Sequence, residues 1–236
     1  MKLSFKFSVA VAVLAASSAI ASADTIQLGS FATGAASLGD ANTAMNYAGY
    51  NPASTPPSVG TATTYALAPS TIWAAPVANS TWVGYAPTAG PVGTSNPAFG
   101  YYTFTTTFTA LSSGPYSGSL SIMADDTAEI LLNGAVVMPF EALGSDIHCA
   151  DSDPTCLMAD TFSLTNISLL SGVDANTLTF IVQQAGTGPT GGINDPSGVD
   201  FDATLSPSAV PEPAALILLG TGLIGFTGAM LRRRRA

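Results

Sequence analysis

The segment AEILLNGAVVM, residues 128–138, carries the clearest structural signal in the chain. Two apolar runs flank Asn133 and Gly134, and both of these residues tolerate the positive φ that a type I′ turn requires. An Asn-Gly pair between two such runs predicts a β-hairpin. The segment therefore favours a fold built from antiparallel strands.

Outward from the hairpin, apolar and polar residues alternate, as expected for strands that bury one face. In YYTFTTTFT, residues 101–109, the face with Phe104 and Phe108 is predicted to be buried and the face with Thr103 and Thr105 to be exposed. Similar alternation recurs at Leu120 and Ile122, Phe162 and Leu164, Leu178, Phe180 and Val182, and Val199, Phe201, Ala203 and Leu205. Asp200 and Asp202 are accordingly predicted to lie on a solvent face.

Many short strands with no convincing helix between residues 24 and 209 predict an all-β fold, an antiparallel β-sandwich over residues 61–207. Residues 24–60 are rich in Ala, Gly, Ser, Thr, Asn and Pro. This composition is typical of a low-complexity segment, and we expect little regular structure there. Within it, NPASTPPSVG, residues 51–60, is typical of a linker or an irregular outer strand pair.

The N-terminus reads as a signal peptide over residues 1–23. Lys2 and Lys6 precede an apolar run, and Ala21 and Ala23 provide the small residues that a signal peptidase requires. The exported chain is predicted to begin at Asp24.

The C-terminus reads as a membrane anchor. Ala214 to Leu231 contains 18 uncharged residues, enough for a helix of roughly 27 Å, close to the thickness of the bilayer hydrocarbon. Four arginines follow at 232–235. Because basic flanks resist translocation, this single transmembrane helix is predicted to be N-out and C-in in the inner membrane.

Pro211, Glu212 and Pro213, followed by the apolar span and the arginines, resemble the PEP-CTERM sorting signal over residues 210–236. Proteins with such a tail are substrates of an exosortase, a membrane transpeptidase that recognises the tripeptide and removes the helix. The resemblance implies exosortase as a processing partner, membrane anchoring before processing, and final delivery to the cell surface or the extracellular space.

The region from Tyr65 to Leu205 resembles galactose-binding-like jelly rolls. Such modules share an aspartate-containing strand end before an Asn-Gly hairpin, here Asp125, Asp126, Asn133 and Gly134. The resemblance implies a fold more than an activity, because these motifs are structural.

The charge distribution limits the ligands of the exported part. All six basic residues lie in the two targeting segments, whereas residues 24–210 hold fourteen of the fifteen carboxylates, Glu212 being the other. Nucleic acid is excluded as a partner because its binding requires cationic side chains. Cations and neutral glycans are compatible with this surface.

Residues 146–160 contain two candidate structural features. Cys149 and Cys156 are predicted to form a disulfide in an oxidising compartment. Asp146, Asp151, Asp153 and Asp160 are candidate ligands of a structural Ca²⁺, a hard cation that prefers oxygen, with a solvated acidic loop as the alternative.

Two further residue sets suggest glycan chemistry. Asp125, Asp126 and Glu129 could form the carboxylate pair of a hydrolase, although turn and hydrogen-bonding roles are favoured. The candidate glycan-binding aromatics are Trp73, Trp82, Tyr85 and Tyr101, with core or edge packing as the favoured alternative for the tryptophans.

These observations predict an exported, non-enzymatic surface or matrix protein with a structural or adhesive role linked to exopolysaccharide. One alternative is a carbohydrate-binding module for a defined sugar, and a second is a glycan hydrolase. No cofactor is expected apart from the candidate Ca²⁺.

Overall fold

The computed structural model describes residues 25–31, 36–52, 62–69, 72–94, 97–140, 158–185 and 196–208. The predicted signal peptide, the predicted C-terminal span and most of residues 146–160, with both cysteines, lie outside these ranges. Within them the regular elements are strands: β1 Ile26–Gly29, β2 Ala41–Asn51, β3 Ala62–Ala66, β4 Val83–Gly84, β5 Gly100–Ala110, β6 Gly114–Asp125, β7 Thr127–Leu132, β8 Ala135–Met138, β9 Asp160–Leu169, β10 Gly172–Gln184 and β11 Gly198–Pro207.

The described strands pair antiparallel in one continuous sheet. Its order is β8-β7-β10-β5-β2-β3-β4-β11-β6-β9, and β1 pairs with β11. The sheet folds back so that its two halves face each other: the ring of Phe180 on β10 lies 4.4 Å from that of Phe201 on β11, centroid to centroid. The all-β antiparallel prediction is confirmed.

The hairpin prediction is confirmed at β7 and β8. Leu132 pairs with Ala135, and the turn residues Asn133 and Gly134 have φ values of 50° and 81°. The Asn133 side chain also accepts a hydrogen bond from the Thr177 amide (2.8 Å), which ties the turn to β10. The turn chemistry therefore fixes the register of the neighbouring strand as well.

The predicted core faces are buried, and the prediction for the outer face of β5 is wrong. Phe104 and Phe108 lie in the core, but Thr103 and Thr105 are buried as well. Thr103 and Thr105 sit opposite Ile181 and Thr179 of β10, and β2 flanks β5 on its other side. Short side chains on an inner strand are easily shielded by their neighbours.

The expectation of little structure in residues 24–60 is also wrong, because β1 and β2 lie there. β2 pairs with β3 and with β5, with register shifts between Asn42 and Asn46 and between Tyr47 and Gly49. A β-bulge interrupts the two-residue period of a strand. The alternation that would have revealed β2 is therefore absent from the sequence.

Strand pairing defines two ends of the folded sheet. The terminus end holds the first and last described residues: Thr25 bonds Ser206 through their hydroxyls at 3.0 Å, and the Ser208 amide donates to the Pro115 carbonyl at 2.9 Å. The opposite end, which we call the tyrosine end, holds the start of β5 and the ends of β2, β6 and β10.

Candidate functional site

Four tyrosine rings pack together at the tyrosine end, where the two halves of the sheet meet. Tyr85, just after β4, stacks on Tyr102 of β5 with centroids 4.9 Å apart. From β2, Tyr47 lies 5.7 Å from Tyr85, and Tyr50 lies 5.2 Å from Tyr102. These four residues are called the tyrosine cluster below.

Tyr50 is the exposed member of the cluster. Its side chain is 42% exposed, yet its hydroxyl donates to the Phe99 carbonyl at 2.7 Å. Its ring also lies against Gly100, where an added Cβ would approach Tyr50 Cε2 to 2.5 Å. The ring therefore reaches solvent in a fixed orientation, which lowers the entropic cost of binding a ligand.

Burial favours the neutral phenol at two members of the cluster, Tyr47 and Tyr102. Burial raises the pKa of Tyr47 to about 12, and the neighbouring Tyr85 and Tyr50 add to the shift. Burial also raises the pKa of Tyr102. Neutral phenols donate hydrogen bonds to the hydroxyl groups of a ligand and accept hydrogen bonds from them, but they do not act as bases or nucleophiles near neutral pH.

Tyr85 and Tyr101 were both candidate ligand residues, and the structure separates them. Tyr85 belongs to the tyrosine cluster. Tyr101 is half-buried on the opposite side of β5, with its ring edge-on to Phe140 at 5.7 Å. The two rings therefore do not form one surface.

Trp73 and Trp82 do not offer rings to a ligand, so their candidate glycan-binding role is corrected and the favoured alternative of core packing is confirmed. They are 3% and 0% exposed and stack on each other at 4.1 Å, inside a small core with Leu67, Ala89 and Met123. Their indole nitrogens donate to Asp125 Oδ2 at 2.7 Å and to the Ala74 carbonyl at 3.0 Å. These two hydrogen bonds satisfy the indole N–H groups inside the small core.

Asp125 and Asp126 are also engaged internally. They are 4% and 1% exposed, and their peptide bond is cis. Asp125 accepts the Trp73 indole bond, while Asp126 Oδ2 accepts from the Ala185 amide at 2.5 Å. Both carboxylates thus hold the connection between β6 and β7 against its neighbours, whereas Glu129 is half-buried on β7.

The remaining candidates fall partly outside the described residues. Asp160 begins β9 and accepts a hydrogen bond from the Thr161 amide at 2.7 Å. Asp146, Asp151, Asp153, Cys149 and Cys156 lie outside the described ranges. Among the described residues, no three His, Cys, Asp or Glu side chains are grouped as a metal site.

Asp200 is fully buried, which contradicts its predicted place on a solvent face. Its carboxylate contacts the Ser30 hydroxyl at 2.9 Å and accepts from the Val77 amide at 2.8 Å. Burial raises the pKa of Asp200 to about 6. Hydrogen bonds from Ser80, Val77 and Ser30 lower this pKa, and the nearby carboxylate of Asp202 raises it slightly. Asp200 therefore joins β1 and the segment around Val77 to β11.

Sequence reasoning missed Tyr47 and Tyr50 as members of the site. In a regular strand, residues three apart point to opposite faces. The register shift between Tyr47 and Gly49 removes that constraint. Gly49 was the available signal, because a glycine inside a strand often marks a bulge.

The comparison with known protein families identifies the sorting signal at the C-terminus. Residues 209–235 match the PEP-CTERM protein-sorting motif. The motif includes Pro211, Glu212 and Pro213, which confirms the predicted resemblance, and it implies an exported protein that is processed by an exosortase. These residues lie outside the described structure, and no helix of the described part is long and apolar enough to cross a membrane.

No curated protein matches the sequence. Among solved structures, the chain is similar to a family 35 carbohydrate-binding module from an environmental isolate, at 12% identity and a TM-score of 0.34, over 79% of this chain and 99% of that one. A family 35 module from Clostridium thermocellum gives 17% identity and a TM-score of 0.31, over 61% and 91%.

A third similar structure, the GH26-CBM35 β-(1,4)-mannanase of Podospora anserina, gives 16% identity and a TM-score of 0.28, over 52% of this chain and 24% of that one. TM-scores of this size do not establish a shared ligand.

Proposed function

We propose that this PEP-CTERM protein acts at the cell surface or in the extracellular matrix as a structural or adhesive component. In this proposal the exported domain holds neutral polysaccharide at the tyrosine cluster. The sorting motif supports delivery to that location, and the exposed, fixed ring of Tyr50 is the observation that carries the binding role.

The charge of the domain supports a neutral ligand. Residues 24–210 contain no Lys or Arg and fourteen carboxylates, so an acidic polymer meets repulsion over a Debye length of roughly 30 Å at 0.01 M salt and 8 Å at physiological salt. Neutral sugars meet no such barrier. Their C–H faces pack on aromatic rings, and their hydroxyls match phenol oxygens.

The position of the cluster supports the same role. It lies at the end of the sheet opposite Thr25 and Ser208, where the described chain begins and ends. A ligand at this end lies away from Ser208, the last described residue before the C-terminal segment. The domain can therefore bind polysaccharide both before and after processing.

We further propose that binding occurs without turnover. Three carboxylates suggested a hydrolase, and two of them, Asp125 and Asp126, are buried. They accept hydrogen bonds from the Trp73 indole and the Ala185 amide. A glycosidase instead needs an acid and a base that flank a substrate bond. The Cys149–Cys156 disulfide and a structural Ca²⁺ on the acidic segment remain predictions.

Retention of the purified protein on immobilised neutral and acidic polysaccharides, with and without Ca²⁺, tests the proposal. We expect retention on a neutral polymer and no release of reducing ends. Tyr50→Ala should weaken retention roughly tenfold. The reason is that a sugar ring packed on an aromatic side chain contributes on the order of 1 kcal/mol or more to the binding free energy. Tyr50→Phe should keep most of the binding, since the ring remains.

Val173→Ala is the matched control, because it truncates an exposed apolar side chain at the terminus end. It should leave retention unchanged. Chelator-insensitive binding to the acidic polymer, steady sugar release, or equal loss in the Tyr50 and Val173 variants would each contradict the proposal.

A further inference from the structure

The terminus end carries three large apolar side chains that are exposed to solvent. Leu111, Leu170 and Val173 are 75%, 57% and 84% exposed. Leu111 lies in the turn between β5 and β6, and the other two flank the start of β10. Because Gly172 pairs with Ala110 and Leu169 pairs with Gly114, the three side chains share one tip of the sheet.

Both ends of the described chain emerge at this same tip. Ile26 pairs with Leu205, so Thr25 lies next to the end of β11, two residues after the predicted signal-peptide cleavage site. Ser208 bonds the Pro115 carbonyl, one residue from the pairing of Gly114 with Leu169. The signal peptide and the C-terminal span therefore both join the domain beside the apolar tip.

The connection from the domain to the predicted span is short. Ala214 begins the span six residues after Ser208, and six extended residues reach at most about 20 Å. The polar layer on one side of a bilayer takes up roughly 5–7 Å of that reach. While the span is in place, the terminus end must lie close to the lipid surface.

The chemistry of the tip fits an uncharged lipid surface. Asp174, next to Val173, is an exposed carboxylate, and residues 24–210 offer no Lys or Arg to attract anionic headgroups. Contact must therefore come from apolar side chains entering the boundary between headgroups and acyl chains.

We infer that Leu111, Leu170 and Val173 rest on the bilayer surface while the C-terminal segment anchors the chain, so that the tyrosine end points away from the membrane. The inference rests on the membrane anchoring that the sequence predicts before processing and on the role of the tyrosine cluster in the proposed function. It explains why the apolar tip is exposed in the domain and adds an orientation that presents the tyrosine cluster to the surrounding matrix.

Tryptophan reporters in the full-length chain test this orientation. Leu111→Trp and Val173→Trp place an indole at the tip, and Phe99→Trp replaces a 49% exposed side chain at the tyrosine end. Each chain is reconstituted in phosphatidylcholine vesicles that contain bromine-labelled lipid, and the signal of the parent chain, from Trp73 and Trp82, is subtracted.

We expect bromolipid to quench the added fluorescence of the two tip reporters by about half or more, as for side chains at the headgroup boundary, and to leave the Phe99→Trp reporter unchanged. In a Leu111→Trp chain that also carries Leu170→Ser and Val173→Ser, quenching should fall although the chain still floats with the vesicles.

Equal quenching of the reporters at both ends, or no quenching at the tip of a chain that floats with the vesicles, would overturn the inference. A chain that fails to float would overturn it as well, by removing the anchor. Polysaccharide retention is measured separately, so a chain that binds glycan without tip quenching contradicts only the membrane orientation.

Discussion

The two ends of the folded sheet use exposed apolar surface in different ways. At the tyrosine end, the exposed ring of Tyr50 is held by a hydrogen bond to Phe99 and by contact with Gly100 and Tyr102. At the terminus end, Leu111 projects from the β5–β6 turn and Val173 from the start of β10, and they are 75% and 84% exposed. Fixed aromatic rings suit recognition of a shaped ligand, whereas projecting aliphatic side chains suit contact with a surface that has no fixed shape.

The largest expected difference between the ends concerns two glycines with similar backbones. Gly100 and Gly114 have φ values of 148° and 140°, but a Cβ at Gly100 would meet Tyr50 and the Asn51 carbonyl oxygen at 2.5 and 2.9 Å, whereas a Cβ at Gly114 meets nothing within 4 Å. Gly100→Ala should therefore cost about 3–4 kcal/mol of unfolding free energy, from strain and overpacking together.

Gly114→Ala, the matched variant, should cost only the strain, about 1 kcal/mol. Chemical denaturation of both variants provides the measurement. Equal losses would show that the tyrosine end is no more tightly packed than the terminus end.

The next largest effect concerns Asp200, which connects β1 to β11 between the two ends. Its folded-state pKa of about 6 exceeds its ordinary value of 3.8, so the folded protein binds this proton more tightly than the unfolded chain does. Its contribution is complete below about pH 3.8 and is lost as the pH rises through 6. At about 1.4 kcal/mol per pH unit, the change is on the order of 3 kcal/mol.

Asp200→Asn should remove this pH dependence, because the amide is neutral throughout. Unfolding free energies between pH 4 and pH 8 provide the measurement, with Asp174→Asn, an exposed carboxylate of the terminus end, as the control. A slope that persists in the Asp200 variant would assign the pH dependence to other groups.

Two buried tyrosines offer a test in which the ends should behave alike. The hydroxyl of Tyr102 donates to the Ala98 carbonyl at 3.2 Å, and that of Tyr116 to the Ser112 carbonyl at 3.3 Å. The Tyr116 hydroxyl also bonds the Ser112 hydroxyl at 3.1 Å. Each Phe substitution should cost about 1–2 kcal/mol, since the hydrogen bonds of one phenol are lost and the ring remains. Thermal or chemical unfolding of both variants measures this, and a much larger loss for Tyr102 would mean that its hydroxyl supports the whole tyrosine cluster.

The smallest expected effect lies at the apolar tip. Leu111→Ser and Val173→Ser remove side chains that contribute little to the core, so unfolding of the domain should change by less than about 0.5 kcal/mol. The same variants should reduce membrane contact. A loss of stability above 1 kcal/mol would show that the tip packs within the domain instead of serving as a contact surface.

Local patterns predicted much of the fold but little of the candidate site. The hairpin at Asn133 and Gly134 and the buried faces with Phe104 and Phe180 follow from turn chemistry and two-residue alternation, which act over a few neighbours. β2 could not be predicted in the same way, because its bulges break the alternation. Tyr50 was missed for that reason. Trp73 was a candidate glycan-binding residue with core packing as the favoured alternative, and its burial confirms that alternative.

By itself, the sequence determined the sorting motif, the all-β class and the absence of cationic side chains from residues 24–210, because these depend on composition and on contacts between near neighbours. Only the tertiary structure decided which rings meet at the tyrosine end, that Asp200 is buried, and that the first and last described residues lie beside Leu111 and Val173. These features join residues that are distant in the sequence, from Tyr50 with Tyr102 in the tyrosine cluster to Ser30 with Asp200. Pairing at that distance is decided by the whole sheet, because each strand finds its partner through a core that all the strands share.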